Sequence, residues 1–94
     1  MFKELDPILH NQLRLSIMSL LMNIESAEFS WLLEQTKATR GNLSVQISKL
    51  KEAGYIRVKK SFRGNYPLTS CSISRKGVDA FEKYVEAIAE YLKH

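Results

Sequence analysis

The 94-residue chain has one cysteine, two prolines, four glycines and two histidines. A single thiol, Cys71, cannot close an internal disulfide. His10 and His94 stand apart, with no Cys/His cluster at zinc spacing, so neither a disulfide scaffold nor a metal centre is expected. No apolar run approaches the eighteen residues of a membrane span, and no basic segment followed by an apolar stretch opens the chain. There is no repeat, linker or low-complexity tract. These absences lead us to expect one domain over residues 1–94 in a reduced, cytoplasmic compartment, without a membrane and without a cofactor. With 45% hydrophobic and 26% charged residues the chain suits a small folded core.

Acidic residues are scarce in the middle of the chain. Residues 37–76 hold ten bases and one acid, Glu52, a local charge of +9. Residues 1–36 carry −3 and residues 77–94 carry −2, leaving the net +4. A basic centre between acidic ends points to a polyanionic partner.

Helical periodicity opens the chain. Asp6 and Pro7 suit the N-cap and first position of a helix over residues 7–24. Leu9, Leu13, Ile17, Leu20 and Ile24 form one stripe, and Ile8, Leu15, Met18 and Met22 fall opposite, so two faces need cover. Phe29 suits a very short extended piece. Ser30 can cap a second helix over residues 31–36, and Lys37-Ala38 makes a tight turn. Thr39 caps a third helix over residues 40–53, with Leu43, Ile47 and Leu50 inward and Gly54 ending it. Period two follows. Ile56 and Val58 alternate with Arg57 and Lys59, residues 62–67 turn, and Thr69, Cys71 and Ile73 alternate with Leu68, Ser70 and Ser72. Ser74 caps a last helix whose stripe is Val78, Phe81, Val85, Ile88 and Leu92, widened by Ala80, Tyr84, Ala87 and Tyr91.

The second and third helices have helix-turn-helix spacing, over about residues 30–54. In that motif the N-terminal half of the second helix reaches base edges. The third helix turns Asn42, Ser44, Val45, Ser48 and Lys49 outward, with Arg40 and Gln46 on its flanks. Arg pairs with guanine, Asn or Gln with adenine, and Val45 suits a thymine methyl. A solvated amphipathic helix would look similar, but the hairpin over residues 55–74 adds Arg57, Lys59, Lys60 and Arg63 without an acid. Edge-strand lysines that deter aggregation explain one or two such charges better than four. With Thr39, Gly64 and Tyr66, these residues form the expected backbone-contacting set; Phe62 and Tyr66 would brace the tip or pack beneath it.

Two segments carry a family resemblance. Residues 39–44 (Thr-Arg-Gly-Asn-Leu-Ser) and 50–56 (Leu-Lys-Glu-Ala-Gly-Tyr-Ile) resemble the recognition helix and following strand of small winged-helix transcriptional regulators of the MarR/ArsR type. The Leu5-Asp6-Pro7 opening, residues 10–17 and the Ser74-Arg75-Lys76-Gly77 start of the last helix are similar too. The likeness spans residues 5–92. It implies an α+β, mostly α fold: a winged helix-turn-helix with an N-terminal helix, a β-hairpin wing and a C-terminal dimerisation helix over residues 75–92. It implies a homodimeric, sequence-specific regulator of double-stranded DNA, with the third helix in the major groove. Three positions depart from the pattern. Lys37 stands where glycine is common and would take a left-handed conformation. Gln46 stands where histidine is common, so no base preference carries over. Cys71 replaces an aromatic, and strand parity turns it inward as a structural thiol rather than a redox sensor. No metal-sensing ligand set of the ArsR kind is present.

The apolar surplus of the first and last helices points independently to a homodimer, with Phe2, Leu5, Ile8, Leu15, Tyr84, Ile88, Tyr91 and Leu92 as contributors. The alternative is that the two helices cover each other within one chain. A small-molecule effector is not defined by the sequence; Met18, Met22, Trp31 and Tyr84 offer apolar material for a cleft, but helix packing is their more ordinary use. The competing function is a winged-helix adaptor for protein or RNA, for which so concentrated a positive charge is unnecessary. No nucleophile, base and orienting group are arranged for catalysis, so an enzyme is not expected.

Overall fold

The computed structural model describes residues 2–93. The element order is α1 (Gln12–Leu21), β1 (Ala27–Glu28), α2 (Phe29–Thr36), α3 (Arg40–Glu52), β2 (Ile56–Arg63), β3 (Tyr66–Ile73) and α4 (Arg75–Leu92). The strands form an antiparallel sheet in the order β1-β3-β2. Its register sets Val58 and Ala27 on either side of Cys71. Leu9, Ile17, Met18, Leu21, Leu32, Leu43, Leu50 and Ile56 join Cys71 in one core cluster.

Local chemistry places most of these elements. The Lys37 backbone sits at φ 60°, ψ 20° as α2 ends, the left-handed conformation expected there. The Asn42 N–H donates to Thr39 Oγ1 at 3.2 Å, capping α3. Gly54 follows the helix at φ 80°. The Gly77 N–H donates to Ser74 Oγ at 3.0 Å, and Ser74 Oγ donates to the Gly54 carbonyl at 2.6 Å. One serine thus caps α4 and ties it to the end of α3.

The first helix departs from expectation. It begins at Gln12, not Pro7, with Asn11 accepting from the Arg14 N–H at 3.0 Å. Asp6 caps only a separate turn, accepting from the Ile8 N–H at 2.8 Å. The reason is the Arg14 side chain. Its Nε donates to the Ile8 carbonyl at 2.5 Å and its Nη2 to the Pro7 carbonyl at 3.4 Å. Those carbonyls would otherwise accept from N–H groups one turn onward in a continuous helix. The helix also closes early, at Leu21, leaving Ile24 exposed.

Two further boundaries shift. The extended piece is Ala27–Glu28, before Phe29, because Ala27 pairs with Cys71 and Glu28 with Ser70. Ser30 therefore lies inside α2, whose N-cap Glu28 makes no side-chain capping bond. The hairpin is longer than its alternation suggests. Phe62, Arg63, Tyr66 and Pro67 belong to the ladder, closed by Gly64-Asn65 with Gly64 at φ 61°. Gly64 at the first central position is what a II′ hairpin turn favours. Pro67 is tolerated in the central strand because β1 pairs only at Ser70 and Cys71 and never reaches it.

Cys71 is buried, as strand parity requires, and burial pushes its thiol from the ordinary 9.0 up to about 11. At pH 8 roughly one thiol in a thousand would be ionised. Alkylation by iodoacetamide should therefore be at least about a hundredfold slower in the native protein than in urea; equal rates would contradict the burial. The pH sense follows. Below pH 9 the thiol is protonated in both states, and between pH 9 and 11 only the unfolded thiol ionises. The stabilisation held at lower pH is therefore lost as pH rises through about 11. Tyr55, raised to about 12 by burial first and then by its bond to Asp6, acts in the same direction at still higher pH.

Candidate nucleic-acid interface

The interface is built around α3. Its Leu43, Ile47 and Leu50 are buried, anchoring one face. Thirteen residues give a rod of about 20 Å, short enough to lie in a major groove. Asn42, Val45, Ser48 and Lys49 are exposed, with Val45 half accessible despite being apolar. Gly41 lies in the same outer row, and nothing comes within 4 Å of where its Cβ would be.

Two polar clefts flank this helix. On the wing side, a cleft of about 380 Å³ brings Arg40, Ser44, Ser48 and Lys51 from α3 together with Lys60 from β2 and Thr69 from β3. The Arg40 guanidinium lies 5.8 Å from the centre of the Phe29 ring, which holds it toward this cleft. On the other side, a cleft of about 400 Å³ is lined by Asn42 and Gln46 with Asn11, Gln12, Ser16 and Thr36, and carries no charge. The two sides of α3 therefore differ: Arg40, Lys51 and Lys60 gather on the wing side, whereas the lining toward α1 is uncharged and the Arg14 guanidinium reaches it only behind Gln46.

The four hairpin bases expected to act together are divided by the sheet. Lys60 shares a face with Ile56 and Val58, opposite Thr69, and meets α3. Arg57, Lys59 and Arg63 have the other parity, opposite Ser72, Ser70 and Tyr66. Arg63 is moreover engaged, donating to Glu28 at 3.2 Å across the sheet. Among the described residues, Arg40, Lys49, Lys51, Arg57, Lys59 and Lys60 are in no ion pair. At the hairpin tip Phe62 and Tyr66 are 73% and 77% exposed, so neither packs beneath it.

Lys51 and Thr69 were missed from the sequence. The signal for Lys51 was its place on α3 beside Arg40 and Ser44, on the flank that the hairpin approaches. Gln46 is placed differently from expectation. It is half-buried, accepts from Arg14 Nη1, and donates through Nε2 to Asn42 Oδ1 at 3.0 Å. Its oxygen and its nitrogen each bond a neighbour in the chain.

The residues expected at a subunit interface also divide. Tyr84 is buried within the chain, where His10 Nδ1 lies 3.0 Å from its hydroxyl. Leu5, Ile8, Leu15 and Ile88 are half-buried against the core. Phe2, Tyr91 and Leu92 are exposed, together with Val85, and the Phe2 ring stacks on Tyr91 at 4.5 Å. The chain thus uses the Ala80–Tyr84–Ala87 flank of α4 for itself and leaves Val85 and Leu92 outward. Met18 is fully buried in the core, so it is not available to line an open cleft. No helix among the described residues is long and apolar enough to cross a membrane. No group of three or more metal-ligating side chains occurs among them.

A helix-turn-helix followed by a hairpin that meets the second helix defines a winged helix. The model of the winged helix DNA-binding domain family matches residues 13–92, and the chain belongs to that family. An uncharacterised protein of Methanocaldococcus jannaschii is 34% identical over 87 residues, 93% of this chain and 95% of that one. Among solved structures, a transcriptional regulator homologue from Pyrococcus horikoshii superposes with a TM-score of 0.85 at 27% identity, over 92% of this chain and 85% of that one. Bacillus subtilis PadR, solved with operator DNA, shares the fold at a TM-score of 0.71 and 14% identity, over 80% of this chain and 48% of its own. An ArsR family transcriptional regulator shares the fold at a TM-score of 0.66 and 21% identity, over 92% of this chain and 84% of that one.

Proposed function

We propose that the chain is a sequence-specific, double-stranded DNA-binding transcriptional regulator of the cytoplasm, acting as a homodimer. The observation that carries this reading is α3 itself. It presents Asn42, Val45 and Lys49 outward beside a cleft holding the cations Arg40, Lys51 and Lys60, which are in no ion pair among the described residues. In this reading α3 lies in the major groove, and a phosphate strand crosses between α3 and the wing. Asn42, Val45, Ser48 and Lys49 meet base edges, while Arg40, Ser44, Lys51 and Lys60 meet phosphates. The exposed Val85 and Leu92, with the stacked Phe2 and Tyr91, supply the apolar surface for a second copy. The whole of residues 1–94 acts as one domain.

Duplex binding measured across salt concentrations tests the electrostatic part. Log K should fall with log salt by about 0.9 for each phosphate neutralised, and a flat dependence would overturn the reading. Sedimentation equilibrium at micromolar concentration should give a mass twice that of the chain; a monomer throughout would remove the dimer.

A further inference from the structure

A chain of hydrogen bonds runs from the start of α1 to the outer face of α3. Arg14 is fixed at one end, with Nε on the Ile8 carbonyl at 2.5 Å and Nη2 toward the Pro7 carbonyl at 3.4 Å. Its Nη1 donates to Gln46 Oε1. Gln46 Nε2 donates to Asn42 Oδ1 at 3.0 Å. A guanidinium has donors and no acceptor, so only the carbonyl end of Gln46 can face it. The amide end of Gln46 must then face Asn42, and Asn42 must answer with its oxygen. The polarity of the first group thereby dictates the orientation of the last.

We infer that Gln46 reads no base and instead positions Asn42, with Arg14 as its anchor, so that Asn42 meets DNA with its Nδ2 donor leading. This rests on the reading that α3 enters a duplex. Asn42 is exposed at the edge of the outer face, whereas Gln46 is half-buried and its oxygen and nitrogen are both engaged. Each end of the Gln46 amide already spends one hydrogen-bonding position inside the chain, so its orientation is fixed and it cannot turn over to match a base.

The consequence is chemical. A free asparagine amide turns over to match either a donor or an acceptor on a base edge. With Oδ1 already accepting from Gln46, Asn42 keeps Nδ2 for an acceptor such as a purine N7, and one lone pair on Oδ1 for an adjacent donor. That is the adenine pattern, set before DNA arrives. The arrangement also makes base preference depend on a residue of α1, outside the helix-turn-helix.

Two experiments test this. In the free protein, hydrogen exchange of the side-chain amides is followed by NMR. The Gln46 NH2 should exchange about threefold or more slower than that of Asn42. Arg14→Met should abolish the difference, and Arg14→Lys, still a donor without an acceptor, should retain part of it. Equal rates in the wild type would overturn the proposal without reference to DNA. Second, duplexes are selected from a random library with wild type, Gln46→Met, Asn42→Ala and the double variant, each first shown to be folded by circular dichroism. Gln46→Met should reduce discrimination about five- to tenfold at one base position, the same position that Asn42→Ala flattens. The double variant should match Asn42→Ala alone. Flattening at a different position, or effects that multiply, would show Gln46 reading its own base. A wild type that enriches no sequence would overturn the proposed function, and the exchange measurement would then decide the positioning role by itself.

Discussion

Replacing Arg40, Lys51 and Lys60 together by alanine should weaken duplex binding roughly a hundred- to thousandfold at moderate salt. The same triple variant should lower the salt dependence by nearly three phosphate equivalents, at about 0.9 each. These three cations converge on one cleft from two elements, and none is neutralised by an acid among the described residues. Their positions at the chain surface make a general loss of stability a small contribution, since substitutions at such sites usually change folding by under about 0.5 kcal/mol. The matching substitution of Arg57, Lys59 and Arg63 removes the same charge from the other face of the sheet. It should cost only a few-fold, through the long-range field. Equal losses for the two triples would mean that net charge, not the cleft, governs binding. Binding isotherms on one labelled duplex decide between these outcomes.

Gly77→Ala should be strongly destabilising, at about 3 kcal/mol. A Cβ at Gly77 would lie 2.1 Å from the Tyr55 carbonyl oxygen and 2.9 Å from its carbon. Both are backbone atoms, and the same oxygen accepts from the Ser74 N–H at 3.0 Å. Neither can withdraw without lifting α4 off the start of β2. Gly41→Ala is the opposite case. Nothing comes within 4 Å of its Cβ, so helix propensity alone acts and stability should rise by up to about 1 kcal/mol. Urea denaturation at fixed protein concentration measures both. A Gly77→Ala midpoint equal to that of wild type would mean that α4 does not pack this closely.

Features set by neighbours in sequence were legible beforehand. Thr39 and Ser74 cap their helices, Lys37 turns left-handed, and Leu43, Ile47 and Leu50 face inward. Each depends on atoms within a few residues. The start of α1 does not. Asp6-Pro7 is a good local start signal, and only the folded chain brings Arg14 back onto the Pro7 and Ile8 carbonyls and Tyr55 onto Asp6. The two-residue β1 exists only through its pairing with β3, so no run of its own announces it. The basic hairpin was legible as a charge, but not as two faces. Parity with Ile56 and Val58 was the available signal that sets Lys60 apart from Arg57 and Lys59. The engagement of Gln46 with Arg14, 32 positions away, had no sequence signal at all. The concentration of charge over residues 37–76 acquires a location from the fold: its cleft-forming members lie on one side of the sheet, while α4 carries its exposed apolar residues elsewhere.

Selection of duplexes from a random library by the purified wild-type protein tests the central claim most directly. The account predicts enrichment of an inverted repeat whose half-site centres lie about 10–10.5 base pairs apart, the spacing that a two-fold dimer gives two recognition helices one turn apart. Recovery of duplexes with no shared sequence, at an affinity unaffected by Asn42→Ala, would contradict it.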